Sequence, residues 1–407
     1  MTRRWRIFTV FALMYVLAYF YRVSMAVMAK DLTGELSLDA IQLGALSGAF
    51  FYAFAFTQLP LGPLLDRFGG KRVVLLSGIV TTAGVALFAM AASYPQAMAG
   101  RILIGIGSAS VLMGALKVFS NWFEAGEFGR ISGFIIAIGN IGNLSATAPL
   151  AIAVAAFGWR SAYWAVALLQ VATLILLQVT VSERPLLEGD AGETREHHSP
   201  LAGISQVLAN PSYWGMSALA FSWYANYMAV QGLWGGPYLM EVAGLSREKA
   251  GTILLLTSLG FLVGCIGIGK VADTIFRSHK KTLFYGQLLF LLFMLLFLGP
   301  AERFPMPLMG CAFFCMGLLV SSGVAIYPLI RNSFPHAIIG TALTAVNFFI
   351  LLGAATMQQL MGVVIERFPK GSSGYPPEAY HAAFLLPISC MAVSLLLFLR
   401  VRDPARN

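Results

Sequence analysis

Apolar residues occupy most of this chain in runs of about twenty, separated by short polar connections. Runs of that length match the hydrocarbon thickness of a bilayer and predict transmembrane helices. They lie at about 7–29, 42–64, 73–92, 98–120, 130–154, 160–181, 211–240, 250–269, 283–299, 307–330, 338–364 and 380–399. The chain therefore reads as an all-α polytopic membrane protein with twelve spans. Gly and Pro interrupt several runs, which is tolerated where neighbouring helices cover the freed backbone groups.

The polar connections set the expected orientation. With the N-terminus inside, Arg3, Arg4, Arg6, Arg67, Lys71, Arg72, Arg130, Arg184, Arg195, Lys270, Arg277, Lys280, Lys281, Arg331, Arg400, Arg402 and Arg406 fall on the cytoplasmic face. The other face holds far fewer, among them Arg247, Lys249, Arg303, Arg367 and Lys370. Excess Lys and Arg marks cytoplasmic loops, so both termini are expected inside a cell inner (plasma) membrane. The longest polar stretch, 182–210, holds Glu183, Glu188, Asp190, Glu193, Glu196, His197 and His198. It reads as a solvated cytoplasmic linker, 185–210, between an N-terminal bundle at 1–184 and a C-terminal bundle at 211–407.

Composition agrees. Hydrophobic residues make up 58% of the 407 and charged residues only 11%, against roughly 25% charge in soluble domains. The net charge of +9 is not gathered in a basic, aromatic-interleaved patch, so nucleic acid is not an expected partner. Cys265, Cys311, Cys315 and Cys390 all fall in apolar runs. Without further ligands they read as small core residues, and neither a metal nor a cofactor is expected. The opening Arg3-Arg4-Trp5-Arg6 and the run after it lack a persuasive cleavage site and read as a retained first helix.

A shift of 207 residues superposes Gly62 and Asp66 on Gly269 and Asp273, and Gly133 and Asn140 on Gly340 and Asn347. The common offset, about half the chain, points to an internal duplication. Parallel repeats suit a transporter whose two bundles rock about a central site.

Two spans carry a cation in mid-sequence, Arg22 and Lys117. A buried base costs several kcal/mol unless it meets a polar cavity or a partner. Arg22 shares a helix face with Tyr15, Tyr19 and Ala26, at roughly 22 Å from the inner end. Lys117 lies nearer the inner end, beside Ser110, Met113, Gly114 and Asn121. The pattern points to an anion-attracting interior in which Arg22 binds a carboxylate bidentately. The plainer alternatives are a backbone partner for Arg22 and a snorkelling Lys117. In the seventh span, Trp223, Tyr227, Gln231 and Trp234 approximate one stripe, either a cavity wall or packing, with Trp234 and Tyr238 fitting an interfacial belt. Asn140, Asn143 and Asn347 are deep amides that either bind substrate or clamp helices.

Gly62-Pro63-Leu64-Leu65-Asp66-Arg67-Phe68-Gly69-Gly70-Lys71-Arg72, between the second and third spans, resembles the cytoplasmic loop signature of the major facilitator superfamily. Its second copy, Gly269 through Asp273, has Thr274 in place of the base. Gly100-Arg101-Ile102-Leu103-Ile104-Gly105-Ile106-Gly107 is similar to the superfamily's fourth-helix motif. There the resemblance implies a coupling role for Arg101, and snorkelling is the alternative. The resemblance covers nearly the whole chain and implies the major facilitator fold, two pseudo-symmetric bundles of six helices. The fifth-span run Gly139 to Pro149 lacks the central Gly-Pro pair of many drug–proton antiporters. Tyr21-Arg22 and Lys117 are similar to motifs of the organic anion:cation symporters. Tyr21 departs from that group by standing where an acid is common, and Glu124 by standing where a Pro is usual.

The expected function is secondary transport without enzymatic chemistry: import of a small organic anion by a monomer. A proton or sodium is the coupling ion. Substrate contact is expected at Arg22, Lys117, Tyr15, Tyr19, Tyr227, Gln231, Asn140 and Asn347, and coupling or gating at Asp66, Arg67, Arg101, Glu124, Glu127 and Asp273. Asp31 is a further candidate acid. The alternatives are an exporter of amphipathic compounds and a non-transporting membrane sensor.

Overall fold

The computed structural model of the chain describes residues 2–181, 200–335, 338–371 and 374–403. These residues are almost wholly helical and trace the twelve expected passes. Among the described residues, ten helices are long and apolar enough to cross a membrane, and Ile131–Ser145 is a shorter apolar helix. Phe157, Val179 and Ile266 are each at least 75% exposed. Side chains of that kind on the outside fit lipid rather than water as the surrounding solvent.

Several passes are not the simple rods the apolar runs suggested. The first is Arg3–Val23, a turn at Ser24, then Met25–Glu35. The fourth bends between Tyr94–Ser108 and Val111–Trp122. Ala125–Ser145 begins the fifth pass, and Ala148–Thr180 completes it and supplies the sixth. Inside that second helix Gly158 has φ 79° and ψ 157°, a backbone shape that only glycine adopts readily, and there the chain turns. The seventh pass runs Pro211–Met228, then widens into π-helical turns at Ala229–Trp234 and Tyr238–Val242 around Gly235–Pro237.

Helix starts follow local chemistry. The side chains of Asn210, Ser246 and Ser278 accept from the backbone N–H groups of Ser212, Lys249 and Lys281, with Pro211 at the first helical position of the seventh pass. Of the expected linker, 185–199 lies outside the described residues, His197 and His198 included, whereas Pro200–Ala209 is helical.

The chain forms two compact units. The first comprises Met1–Arg22, Ala49–Ala146 and Ile152–His197; the second comprises Val23–Gly48, Thr147–Ala151 and His198–Asn407. The first unit has an aromatic core in which Trp5, Phe8, Phe11, Phe119 and Phe123 meet edge-on or tilted. In the second, Tyr238, Phe297, Phe313 and Phe384 form the corresponding cluster.

Candidate functional site

Arg22 lies near the break in the first pass and is 8% exposed. Its guanidinium carbon is 4.4 Å from the Tyr19 ring centroid and 4.9 Å from that of Phe54 on the second span. Both separations are in cation–π range. Tyr19 stands edge-on to Tyr15 at 4.8 Å, and the two hydroxyls are 3.4 Å apart. The fifth span backs this pair. A Cβ on Gly139 would sit 2.6 Å from the Tyr15 ring, and one on Gly142 would sit 2.8 Å from Tyr19 Cβ, so only glycine allows the approach. Asn143 donates to the Asn140 side chain at 3.3 Å, and Asn140 donates to the Ile136 carbonyl. The first unit thus brings Arg22, Tyr15 and Tyr19 together, with the helix that carries Asn140 packed behind the tyrosines.

Arg101 is more deeply placed than its sequence position suggested. It is 0% exposed and does not snorkel to headgroups. Its Nη1 donates to the Tyr21 carbonyl at 2.9 Å, and its guanidinium carbon lies 5.0 Å from the Phe50 centroid. Arg101 thus has a backbone carbonyl partner, and it lies next to the Ser24 break. A guanidinium can supply the hydrogen bond that a carbonyl loses when a helix is interrupted.

The remaining first-unit candidates spread apart. Lys117 is half-buried, nearer the span end, as expected. Glu127 accepts a 2.9 Å hydrogen bond from Arg4 Nη1, while Glu124 is exposed. Arg67 is exposed against the Phe68 ring, and Lys71 donates to the Gln178 carbonyl. The side chain of Asp66 lies outside the described residues. Among the described residues no carboxylate is buried, whereas Arg22 and Arg101 are.

In the second unit the aromatic stripe is largely engaged in packing. Trp223 Nε1 donates to the Val320 carbonyl at 2.7 Å, and Trp234 Nε1 to the Gln358 carbonyl at 2.9 Å. Trp234 and Tyr238 are buried, which overturns the interfacial-belt reading. Tyr227 stacks on Phe261 at 5.1 Å with an 18° tilt. Gln231 donates to Ser258 Oγ at 2.9 Å, and its amide oxygen is buried without a donor among the described residues. That oxygen is suited to accept from a ligand hydroxyl. Asn347 is half-buried and Asp273 exposed.

The structure gives the candidate acid Asp31 a partner and adds two carboxylates that the sequence reading missed, Glu366 and Glu241. Asp31 pairs with Arg247 at 2.7 Å. Glu366 accepts from the Ala40 N–H at 2.7 Å and from the Tyr375 hydroxyl at 2.5 Å. Glu241 accepts from the Tyr375 N–H and the Tyr380 hydroxyl, each at 2.9 Å. Burial first, then the hydrogen bond to Glu366, raises the Tyr375 phenol above its ordinary pKa. The Asp31–Arg247 and Ala40–Glu366 contacts fasten Val23–Gly48 to the rest of the second unit. Except for Tyr375 and Glu366, which are 9 residues apart, the partners lie far apart in sequence, so no local pattern announces them.

The family model described as Major Facilitator Superfamily matches residues 11–358. A probable L-galactonate transporter of Escherichia coli (strain K12) is 27% identical over 418 residues, covering 96% of this chain and 88% of that relative. A probable sulfoacetate transporter of Cupriavidus necator is 26% identical over 306 residues, covering 70% and 69%. A bacterial homolog to the human lysosomal transporter Spinster, solved inward-facing and unoccupied, matches with TM-score 0.80 at 16% identity, over 100% of this chain and 98% of that one. The D-xylose-proton symporter matches with TM-score 0.79 at 15% identity, over 99% of both chains. At such identities the structural likeness concerns the fold alone. With the twelve passes and the family match over most of its length, the chain belongs to the Major Facilitator Superfamily and is a multi-pass membrane transporter, not an enzyme.

Proposed function

We propose that this transporter imports a small organic anion, of the sugar-acid or sulfonated-acid type, by alternating access coupled to protons. The observation that carries the reading is Arg22, a nearly buried guanidinium held against two aromatic rings. A cation placed so deep is costly unless it meets a polar cavity, a partner or a ligand, and intramembrane cations commonly mark substrate pathways. The relatives named for L-galactonate and sulfoacetate support the same chemistry. Both termini face the cytoplasm, so the Asp31–Arg247 pair and the Glu366 contacts lie on the outer side, and they part when the anion enters. Proton coupling is the finer element. Glu127 is paired with Arg4 and Glu124 is exposed, so a proton travelling with the anion is the simplest route.

Reconstituted vesicles provide the test. L-galactonate, D-glucarate and sulfoacetate are each offered with an inward proton gradient, a sodium gradient or neither. Proton-driven accumulation of at least one acid is expected. Sodium-driven accumulation would replace the proton, and net efflux with resistance to amphipathic compounds would replace import by export. Binding without flux would point to a sensor. The exporter reading draws on the aromatic seventh span, but both of its deep indole N–H groups are engaged by backbone carbonyls.

A further inference from the structure

Phe54 appears in no recognised motif of the chain, yet it touches the most important side chain of the proposed site. It is 5% exposed on the second span, one helical turn from Phe50. The two rings are 5.8 Å apart, and each lies against a different guanidinium: Phe50 against Arg101 and Phe54 against Arg22. Tyr19 meets Arg22 from the first span and is itself held by Tyr15 and by the close approach of Gly142.

We propose that Phe54 is a positioning residue for the anion site, fixing the Arg22 guanidinium together with the Tyr19 ring. This rests on the anion-binding reading of Arg22. The physical reason is charge. An aromatic face attracts a cation through its quadrupole but carries no net charge of its own. It restrains the guanidinium without cancelling the positive field that draws the substrate. A carboxylate in the same place would restrain it more strongly, but would compete with the anion for the same N–H groups. The ring also limits the rotation of a long side chain, so less freedom is lost when a carboxylate binds. Tyr19 therefore acts chiefly through its ring, and its hydroxyl is secondary.

The test compares Phe54→Leu with Phe54→Tyr, and Tyr19→Leu with Tyr19→Phe, in purified protein. L-galactonate, D-glucarate and sulfoacetate are the probes; the acid that wild type binds most tightly is carried forward, with L-galactose as an uncharged control. Loss of a desolvated cation–π contact predicts that each Leu variant raises KM for the acid about tenfold. The maximal rate should change far less, and the ring-retaining variants should stay within about twofold of wild type. Thermal unfolding identifies a variant that has failed to fold, and the other position then decides. A structural role would lower the folded fraction or the maximal rate and leave KM and the preference for acid over L-galactose unchanged. If Arg22→Ala abolishes binding while folded Leu variants keep wild-type KM, the positioning role is overturned and the anion site stands. If none of the three acids binds to wild type, or if Arg22→Ala binds like wild type, the anion reading fails and the role of Phe54 fails with it.

Discussion

Glu366 and Ala40 are 326 residues apart in sequence, yet the carboxylate of one accepts the backbone N–H of the other at 2.7 Å. Ala40 is the first residue of the helix Ala40–Phe68, whose early N–H groups have no partner within the helix. A carboxylate there satisfies an orphan donor and meets the positive end of the helix dipole. The same carboxylate accepts from Tyr375, so two attachments depend on one side chain.

Glu366→Ala is expected to loosen this fastening. With the four native cysteines replaced, a cysteine at Ser47 should react several-fold faster with a membrane-impermeant thiol reagent in the Glu366→Ala background. Tyr375→Phe should have a smaller effect in the same direction. The Tyr375 phenol is raised above its ordinary pKa, so the folded contact holds the neutral form. Its contribution is complete below the ordinary phenol value of about 10 and declines as pH rises beyond it. Tyr375 should therefore add no pH dependence to labelling at neutral pH. Equal labelling in wild type and Glu366→Ala would remove the fastening role.

The Asp31–Arg247 pair offers an independent check. Both side chains are about one-fifth exposed, so the pair is neither fully screened nor fully desolvated. A double-mutant cycle with Asp31→Asn and Arg247→Gln should give a coupling of about 1 kcal/mol in thermal unfolding. A charge exchange, Asp31→Arg with Arg247→Asp, should recover part of it. A coupling near zero would make the pair incidental.

At the proposed anion site, Arg22→Ala is expected to abolish uptake in a folded protein. Arg22→Lys should rescue only part of it, because an ammonium keeps the charge and loses the planar fork. Lys117→Ala should impair flux with less effect on initial binding, since Lys117 is half-buried and nearer the span end. Calorimetric binding and vesicle counterflow measure the two separately. Wild-type binding and flux in Arg22→Ala would remove Arg22 from the site.

Arg101→Ala should destabilise the fold rather than alter substrate preference. It leaves the Tyr21 carbonyl without its guanidinium donor in a buried setting and opens a cavity beside Phe50. About 3 kcal/mol is expected for losing such a charge-assisted bond. Thermal unfolding measures this. An unchanged unfolding temperature with altered substrate selectivity would assign Arg101 to the substrate instead.

Orientation is tested in intact cells. Cysteines placed in the 185–210 linker should resist an impermeant label, whereas one between Lys370 and Tyr375 should react. Labelling of the linker would invert the topology.

The passes were legible because a bilayer demands long apolar helices, and this chain supplies them with little charge. Arg22 was legible for the same reason, since a cation in an apolar run stands out. Arg101 stands only a few residues inside the helix that begins at Tyr94, so counting from the helix end placed it at the surface. Its burial depends on Tyr21 and Phe50, which are on other helices. Trp234 and Tyr238 looked interfacial because tryptophan and tyrosine favour that layer. The structure instead gives the Trp234 N–H to Gln358 and packs Tyr238 against Phe297 and Phe384. Glu366 and Glu241 were overlooked because each lies near a span end, where an acid is unremarkable until its distant partner is known.

The turn at Ser24 has a counterpart in the second half of the chain. Shifting its position by the 207-residue repeat leads to Gln231, inside the π-helical turn Ala229–Trp234. One copy interrupts the helix with a turn, the other with an extra residue per turn, and hardly a side chain is shared between them. The 207-residue repeat therefore pairs one interrupted stretch of helix with another, while the arginine near the first and the glutamine within the second are particular to each half.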